Sequence, residues 1–154
     1  MTREDKKNAY LYCKFRDEQF ALYDEYAKRH GMLMKTLLVA NVLFYDDYYQ
    51  KGGMTQAEIC RRTFQSKQTV NLIVKNLLAE GYITVSEAPG DKRNKIVRMT
   101  KAGCAHYGRV VRHITWAEDT AMSMFTPEEQ KQLIALSRTF MKNLTLLVNQ
   151  ETEE

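Results

Sequence analysis

The stretch from Met54 to Lys101, MTQAEICRRTFQSKQTVNLIVKNLLAEGYITVSEAPGDKRNKIVRMTK, constrains the fold more than any other part of the chain. Thr55 followed by Glu58 fits a capping box, in which the hydroxyl accepts from the Glu58 amide and the carboxylate reaches back to the Thr55 amide, so a helix starts here. Ala57, Ile59 and Cys60 give that helix a small apolar side. Arg61 and Arg62 fall near its end, where guanidinium groups oppose the negative pole of the dipole. The same pair is equally suited to phosphate, and both readings stay open.

Ser66 is a good N-cap for a second helix that runs until Gly81 stops it. Val70, Ile73, Val74 and Leu77 form one inward stripe at helical spacing. The opposite side carries Lys67, Gln68, Asn71 and Lys75. Lysine meets phosphate or guanine, and the paired donor and acceptor of glutamine and asparagine suit adenine, so this face has the chemistry to read a major groove. A face that is merely solvated has the same composition, and the residues after Gly81 distinguish the two.

After Gly81, Tyr82 to Glu87 alternates Ile83 and Val85 with Thr84 and Ser86, and Lys95 to Thr100 is similarly strand-like. Ala88-Pro89-Gly90-Asp91 is suited to the turn between them, and a loop carrying Lys92, Arg93, Asn94 and Lys95 is expected next. Asp91 among these cations is expected to hold the Arg93 side chain in a carboxylate pair. Helix, tight connection, longer helix and two-stranded ribbon with a basic tip is the order of a winged helix-turn-helix. In that arrangement the ribbon reaches the minor groove or backbone beside a helix seated in the major groove.

Charge placement agrees. Between Thr55 and Thr100 there are eight Lys and Arg against four acids, an excess equal to the whole chain's net charge of +4, so the remainder is neutral. Excess positive charge confined to one stretch is what phosphate binding requires.

The flanks are helical. Arg3 to Arg29 reads as a long helix with two adjacent apolar stripes, Ala9, Cys13, Phe20, Tyr23 and Ala27 on one and Tyr12, Phe15, Leu22 and Tyr26 on the other. Gly31 interrupts it, and a helix from about Leu33 to Tyr49 directs Leu37, Ala40, Leu43 and Phe44 to a core before Gly52-Gly53. Thr100 caps a further helix in which Tyr107, Val110, Ile114, Ala117, Ala121 and Met124 recur at three and four, the spacing of a packing seam. Thr126-Pro127-Glu128-Glu129 opens a last helix to about Gln150, with Leu133, Leu136, Phe140, Leu144 and Leu147 inward, and the acidic tail Glu151 to Glu154 is expected to fray. Terminal helices this apolar exceed what a small winged domain needs to cover its own core, so they are expected to intertwine with those of a second copy. The fold class is therefore mainly α (α+β), a winged helix-turn-helix with N- and C-terminal dimerisation helices.

With 154 residues the chain is expected to be a single domain: residues 33–100 form the core, with the wing at 82–100, and residues 1–30 and 101–150 the dimerisation helices. No segment approaches the roughly 20 apolar residues of a membrane span, and Thr2 to Asn8 is charged rather than signal-like, so a soluble cytoplasmic protein is expected. Cys13, Cys60 and Cys104 have no paired metal spacing and are expected to be reduced thiols.

Taken together these segments resemble the MarR (multiple-antibiotic-resistance regulator) family of bacterial transcription factors. The resemblance covers nearly the whole chain: TQAEI opening a helix, SKQTVNLIVKNLLAEGYI as recognition helix and first wing strand, the D-x-R wing Asp91-Lys92-Arg93, the strand into Met99-Thr100-Lys101-Ala102-Gly103, and TPEE opening the last helix. It implies that Ser66 to Lys75 enters the major groove, with Ser66, Lys67, Gln68, Thr69, Asn71 and Lys75 as the reading residues, and that Arg93 reaches the minor groove beside Asn94 and Lys95. It further implies a homodimer on an inverted-repeat operator in double-stranded DNA, with half-sites about one helical turn apart. A repressor released by a small, commonly aromatic effector is the expected form, with Tyr10, Tyr12, Phe15, Tyr45, Tyr48 and Trp116 available to line its site. Two positions depart from the family pattern: Phe64 stands where many members have glycine, and Leu72 where many have a polar or basic residue.

Two alternatives remain at this point. One branch of the family senses organic hydroperoxides through a cysteine in its first helix, and Cys13 lies among Tyr10, Tyr12 and Tyr23; a cysteine in an apolar stripe is otherwise inert. The other is a helical dimer that binds a protein partner and no DNA. His30, His106 and His113 do not have zinc-site spacing. A glycine-rich phosphate loop and a nucleophile elbow are both missing, and the acidic pairs Asp46-Asp47, Glu118-Asp119 and Glu128-Glu129 diverge on their helices. Neither enzymatic activity nor a cofactor or metal is expected.

Overall fold

The computed structural model describes residues 1–150 and, at Lys92, the backbone alone. In chain order the elements are α1 (Arg3–Arg29), α2 (Met34–Tyr48), β1 (Met54–Thr55), α3 (Gln56–Thr63), α4 (Lys67–Ala79), β2 (Ile83–Ala88), β3 (Asp91–Met99), α5 (Lys101–Ser123) and α6 (Pro127–Val148). The fold is mainly helical with one antiparallel three-stranded sheet in the order β1-β3-β2. Two compact units make up the chain, Met1–Arg112 and His113–Glu154.

The helix boundaries are set by local capping chemistry. Thr2 and Asp5 form a capping box for α1, Thr55 and Glu58 one for α3, and Thr126 and Glu129 one for α6, with Pro127 in the first turn of α6. Gly31 and Gly81 come after α1 and α4 with φ of 68° and 75°, the left-handed geometry that lets the chain leave a helix sharply.

The core of the first unit collects Val39, Leu43, Met54, Ile59, Val70, Leu77, Ile83, Val97 and Val111, all fully buried. Helices α2, α3 and α4 thus pack around the root of the sheet, and the inward stripe Val70, Ile73, Val74 and Leu77 of α4 is buried as its spacing predicts.

Strand β1 is not announced by the sequence pattern. It is two residues long, pairs Met54 with Val97 and Thr55 with Ile96, and is set by its neighbours rather than by its own alternation. Gly53 precedes it with φ of 90°, and a Cβ there would lie 2.6 Å from Ile96 Cγ2 and 2.7 Å from the Val97 carbonyl. The Asp46 carboxylate, buried on α2, accepts a hydrogen bond from the Gly53 amide at 2.6 Å and so ties the helix to the strand.

The terminal helices differ from expectation in one respect. Helix α6 buries none of its residues: Leu133, Leu136 and Leu147, expected inward, are exposed, and Phe140 and Leu144 are half-buried. In α5, Tyr107 and Val110 are buried, Ile114 is half-buried, Ala117 and Ala121 are exposed, and Met124 lies beyond the helix end. In α1 only Ala27 is buried, while Tyr12, Phe15, Phe20 and Leu22 are exposed. The apolar periodicity is real, but within the described chain these faces are largely open to solvent. The frayed tail expected at Glu151 to Glu154 lies outside the described residues.

Candidate nucleic-acid interface

The turn between α3 and α4 is built from three polar or strained residues in a row. Phe64 ends α3 in the left-handed region with φ of 53°. Gln65 donates through Nε2 to the Lys35 carbonyl at 3.0 Å, which fastens the turn to the first turn of α2, while its Oε1 is buried with no hydrogen-bond partner among the described residues. Ser66 then caps α4, its Oγ accepting from the Thr69 amide at 3.1 Å and lying 2.9 Å from Thr69 Oγ1. Ser66 and Thr69, both expected to read bases, are therefore engaged with each other and orient the helix.

Past this cap, Lys67, Gln68, Asn71 and Lys75 are all exposed, and so is Leu72. At spacings of three and four they share the side opposite the buried stripe. Lys67, Lys75, Arg93 and Lys95 have no ion-pair partner among the described residues, which leaves their charge available to an external anion. Arg61 and Arg62 are exposed in the last turn of α3. Glu58 is held below the usual carboxylate range, first by the Thr55 amide hydrogen bond, with the charges of Arg61 and Arg62 adding to it.

The wing is a ribbon of β2 and β3 in which Val85 pairs with Val97 and Glu87 with Lys95. Ala88 then pairs with Asp91 across the Pro89-Gly90 turn, where Gly90 has φ of 78°. Lys92, Arg93 and Asn94 consequently have no partner on β2 and bulge from β3. The sequence suggested a loop here; the three residues are instead part of the strand. The expected pairing of Asp91 with the Arg93 side chain is also replaced. Asp91 accepts from the Arg93 backbone amide at 2.9 Å and from Asn94 Nδ2 at 2.8 Å, which holds its carboxyl below the ordinary value and shapes the bulge. Asn94 is thus engaged by Asp91 within the wing; Arg93, Asn94 and Lys95 are all exposed.

Other residues singled out in the sequence are dispersed. Tyr45 and Tyr48 join Phe44 and Tyr49 in an aromatic cluster, Tyr45 stacking on Tyr49 at 6.1 Å. Tyr10 and Phe15 are exposed, and Trp116 stacks on His113 at 5.4 Å. A cavity of about 380 Å³ opens instead beside the end of α4, lined by Met32, Leu33, Asn76, Glu80, Tyr82, His106 and Tyr107 among others, and by none of the aromatic residues suggested for an effector. Tyr82 stacks on His106 at 4.5 Å, and burial pushes the Tyr107 hydroxyl up to about 12.

All three cysteines are free and half-buried. The Cys104 thiol is pushed up to about 11 by burial and by its 3.3 Å hydrogen bond to Asp47, a link between α5 and α2 that sequence spacing gives no means of finding. Among the described residues no His, Cys, Asp and Glu group is placed to hold a metal ion, and no helix is long and apolar enough to cross a membrane.

Residues 48–94, from the end of α2 through the wing bulge, match the model of the MarR family. The HTH-type transcriptional repressor NicR of Pseudomonas putida is 28% identical over 87 residues, 56% of this chain and 55% of that protein, so the match spans about half the length of that relative. Among solved structures, S. aureus MepR in a DNA-binding conformation is similar with a TM-score of 0.75 at 20% identity, over 89% of this chain and 98% of that one. The S. aureus MepR-DNA complex gives 0.71 at 20% identity, over 89% and 97%. NMB1585, a MarR family regulator from Neisseria meningitidis, gives 0.74 at 18% identity, over 99% and 100%. At these identities the structures speak to the fold, and the sequence match speaks to the helix-turn-helix and wing. With α3, the capped α4 and the bulged ribbon in place, the chain has a winged helix-turn-helix fold, and over residues 48–94 its sequence is similar to the MarR family.

Proposed function

We propose that this chain is a sequence-specific regulator of transcription that binds double-stranded DNA as a homodimer. The observation that carries the reading is the division of α4: Val70, Ile73, Val74 and Leu77 are buried, while Lys67, Gln68, Asn71 and Lys75 are exposed, and neither lysine has a carboxylate partner among the described residues. Lys67, Gln68, Asn71 and Lys75 enter the major groove, positioned by the Ser66 and Thr69 cap, and Arg93, Asn94 and Lys95 approach the minor groove or backbone beside it. The similarity in fold to the S. aureus MepR-DNA complex supports DNA binding by this chain.

A second copy covers the exposed apolar faces of α1 and α6, and the resulting two-fold axis selects an inverted repeat with half-sites about one helical turn apart. The name of the NicR relative supports repression, and release by a small aromatic effector that changes the distance between the two recognition helices completes the cycle. The cytoplasm is where such a protein meets its operator.

Electrophoretic mobility shift on the DNA upstream of the protein's own coding region tests the reading. A retarded complex that survives excess unrelated duplex and weakens steeply with added salt is the expected result. The absence of any complex at low salt would overturn it.

A further inference from the structure

Phe64 and Leu72 stand out on the polar side of the helix-turn-helix. Phe64 is 96% exposed and in the left-handed region, a backbone conformation that disfavours a side chain as bulky as phenylalanine. Neither burial nor local geometry accounts for an aromatic residue at this position. It comes after Arg61 and Arg62 and precedes Ser66, the cap of α4, so it sits among cations at the end of α4 whose residues approach base edges in this class of interface. Leu72 is 59% exposed, and on α4 it lies four residues after Gln68 and three before Lys75, in the middle of the face proposed to read the groove.

We propose that Phe64 and Leu72 are specificity contacts that rest on thymine C5-methyl groups in the major groove. The inference rests on the proposed DNA binding and deepens it. Polar side chains at Gln68 and Asn71 would select by hydrogen bonds, whereas Phe64 and Leu72 add a preference for thymine that hydrogen-bond pairing does not supply. A basic surface flanking both residues brings the phosphate backbone within reach, and solvent water is displaced from two apolar side chains when it docks.

The test uses the full-length chain and a duplex that the unaltered protein selects from a random library. Phe64→Gly and Phe64→Asn both accept left-handed backbone, and Leu72→Ala keeps the helix. Each is expected to bind the selected duplex roughly tenfold more weakly, with binding to a scrambled duplex and its salt dependence unchanged. The melting temperature of the two Phe64 variants should stay level or rise, because strain is relieved and no buried contact is lost. Replacing each thymine in turn by deoxyuridine removes the methyl group alone. A methyl contact makes the unaltered protein sensitive at a position where the variant is not, and insensitivity of the unaltered protein at every position would overturn the proposal. Affinity kept within twofold in all three variants would overturn the proposal, as would a fall in affinity that tracks a fall in melting temperature in both Phe64 variants. A library from which the unaltered protein enriches nothing would overturn the underlying DNA-binding reading itself.

Discussion

Gly103 stands where α5 leaves the wing, and a Cβ at that position would collide with the Tyr82 carbonyl and approach Met99 Cγ at 2.9 Å. The carbonyl is backbone and cannot turn aside, so Gly103→Ala should destabilise the fold by about 1 to 3 kcal/mol, read as a lower urea midpoint at constant slope. In the sequence Gly103 looks only like a weak helix former near an N-terminus; the contact that requires it comes from a residue on the far side of the wing. Cys104 beside it was equally opaque, since its partner Asp47 belongs to another helix. With the thiol raised to about 11, it is protonated throughout the neutral range, and thiolate appears only as pH climbs toward that value. Alkylation of Cys104 by iodoacetamide at pH 8, with peptide mass spectrometry as the readout, should therefore run about a thousandfold below the rate at full ionisation. Rapid labelling at pH 8 would show that Cys104 is not held in solution in the buried setting beside Asp47 that raises its thiol.

At the scale of elements, the helices were legible because their signals are local. Thr55 with Glu58, Ser66 with Thr69, and Thr126 with Glu129 all lie within one turn, and the α4 stripe declares its own period. The strands were less so. Strand β1 depends on Val97 and Ile96 some forty residues away, and the wing bulge depends on which residue of β3 faces Ala88, a register that no alternation in Lys92 to Lys95 announces. The bulge carries its own prediction. Asp91 is held below its ordinary value of 3.8 by the Arg93 amide first and the Asn94 side chain second. A depressed carboxyl contributes its full share above the ordinary value and loses it as pH falls through the lower folded value. Hydrogen exchange at the Arg93 amide should thus stay protected from neutral pH down to about 4 and lose protection only in stronger acid. Asp91→Ala should abolish that protection at every pH. On α4 the expected effects divide by chemistry: Lys75→Ala should weaken binding to all duplexes and reduce the salt slope by roughly 1, whereas Gln68→Ala or Asn71→Ala should relax preference at single base pairs and leave the slope intact. Loss of preference with Lys75→Ala, or a changed slope with Gln68→Ala, would reverse the assignment of those side chains.

For the molecule as a whole, charge and hydrophobicity are segregated along the chain. The net charge of +4 resides between Thr55 and Thr100, while the rest of the chain taken together is neutral and its terminal helices carry apolar residues outward. The periodicity of α6 was legible, but its target was not: a stripe of Leu133, Leu136, Phe140, Leu144 and Leu147 has the same spacing whether it meets its own chain or another, and within this chain α6 buries none of its residues. An exposed stripe of this kind is costly in water unless a second surface covers it. Leu136, 70% exposed near the middle of α6, is the most informative position because its replacement removes no contact within the chain's own core. Leu136→Lys should leave the circular dichroism of the helices unchanged while shifting the sedimenting species from twice 18.0 kDa to 18.0 kDa at micromolar concentration. Such a monomer still presents α4 and the wing, so it should bind a single half-site weakly, with about half the salt slope of the unaltered protein, and should no longer distinguish an inverted repeat from a lone half-site. If Leu136→Lys remained dimeric and kept its preference for the repeat, the apolar face of α6 would have some other purpose, and the two recognition helices would have to be held apart by α1 alone.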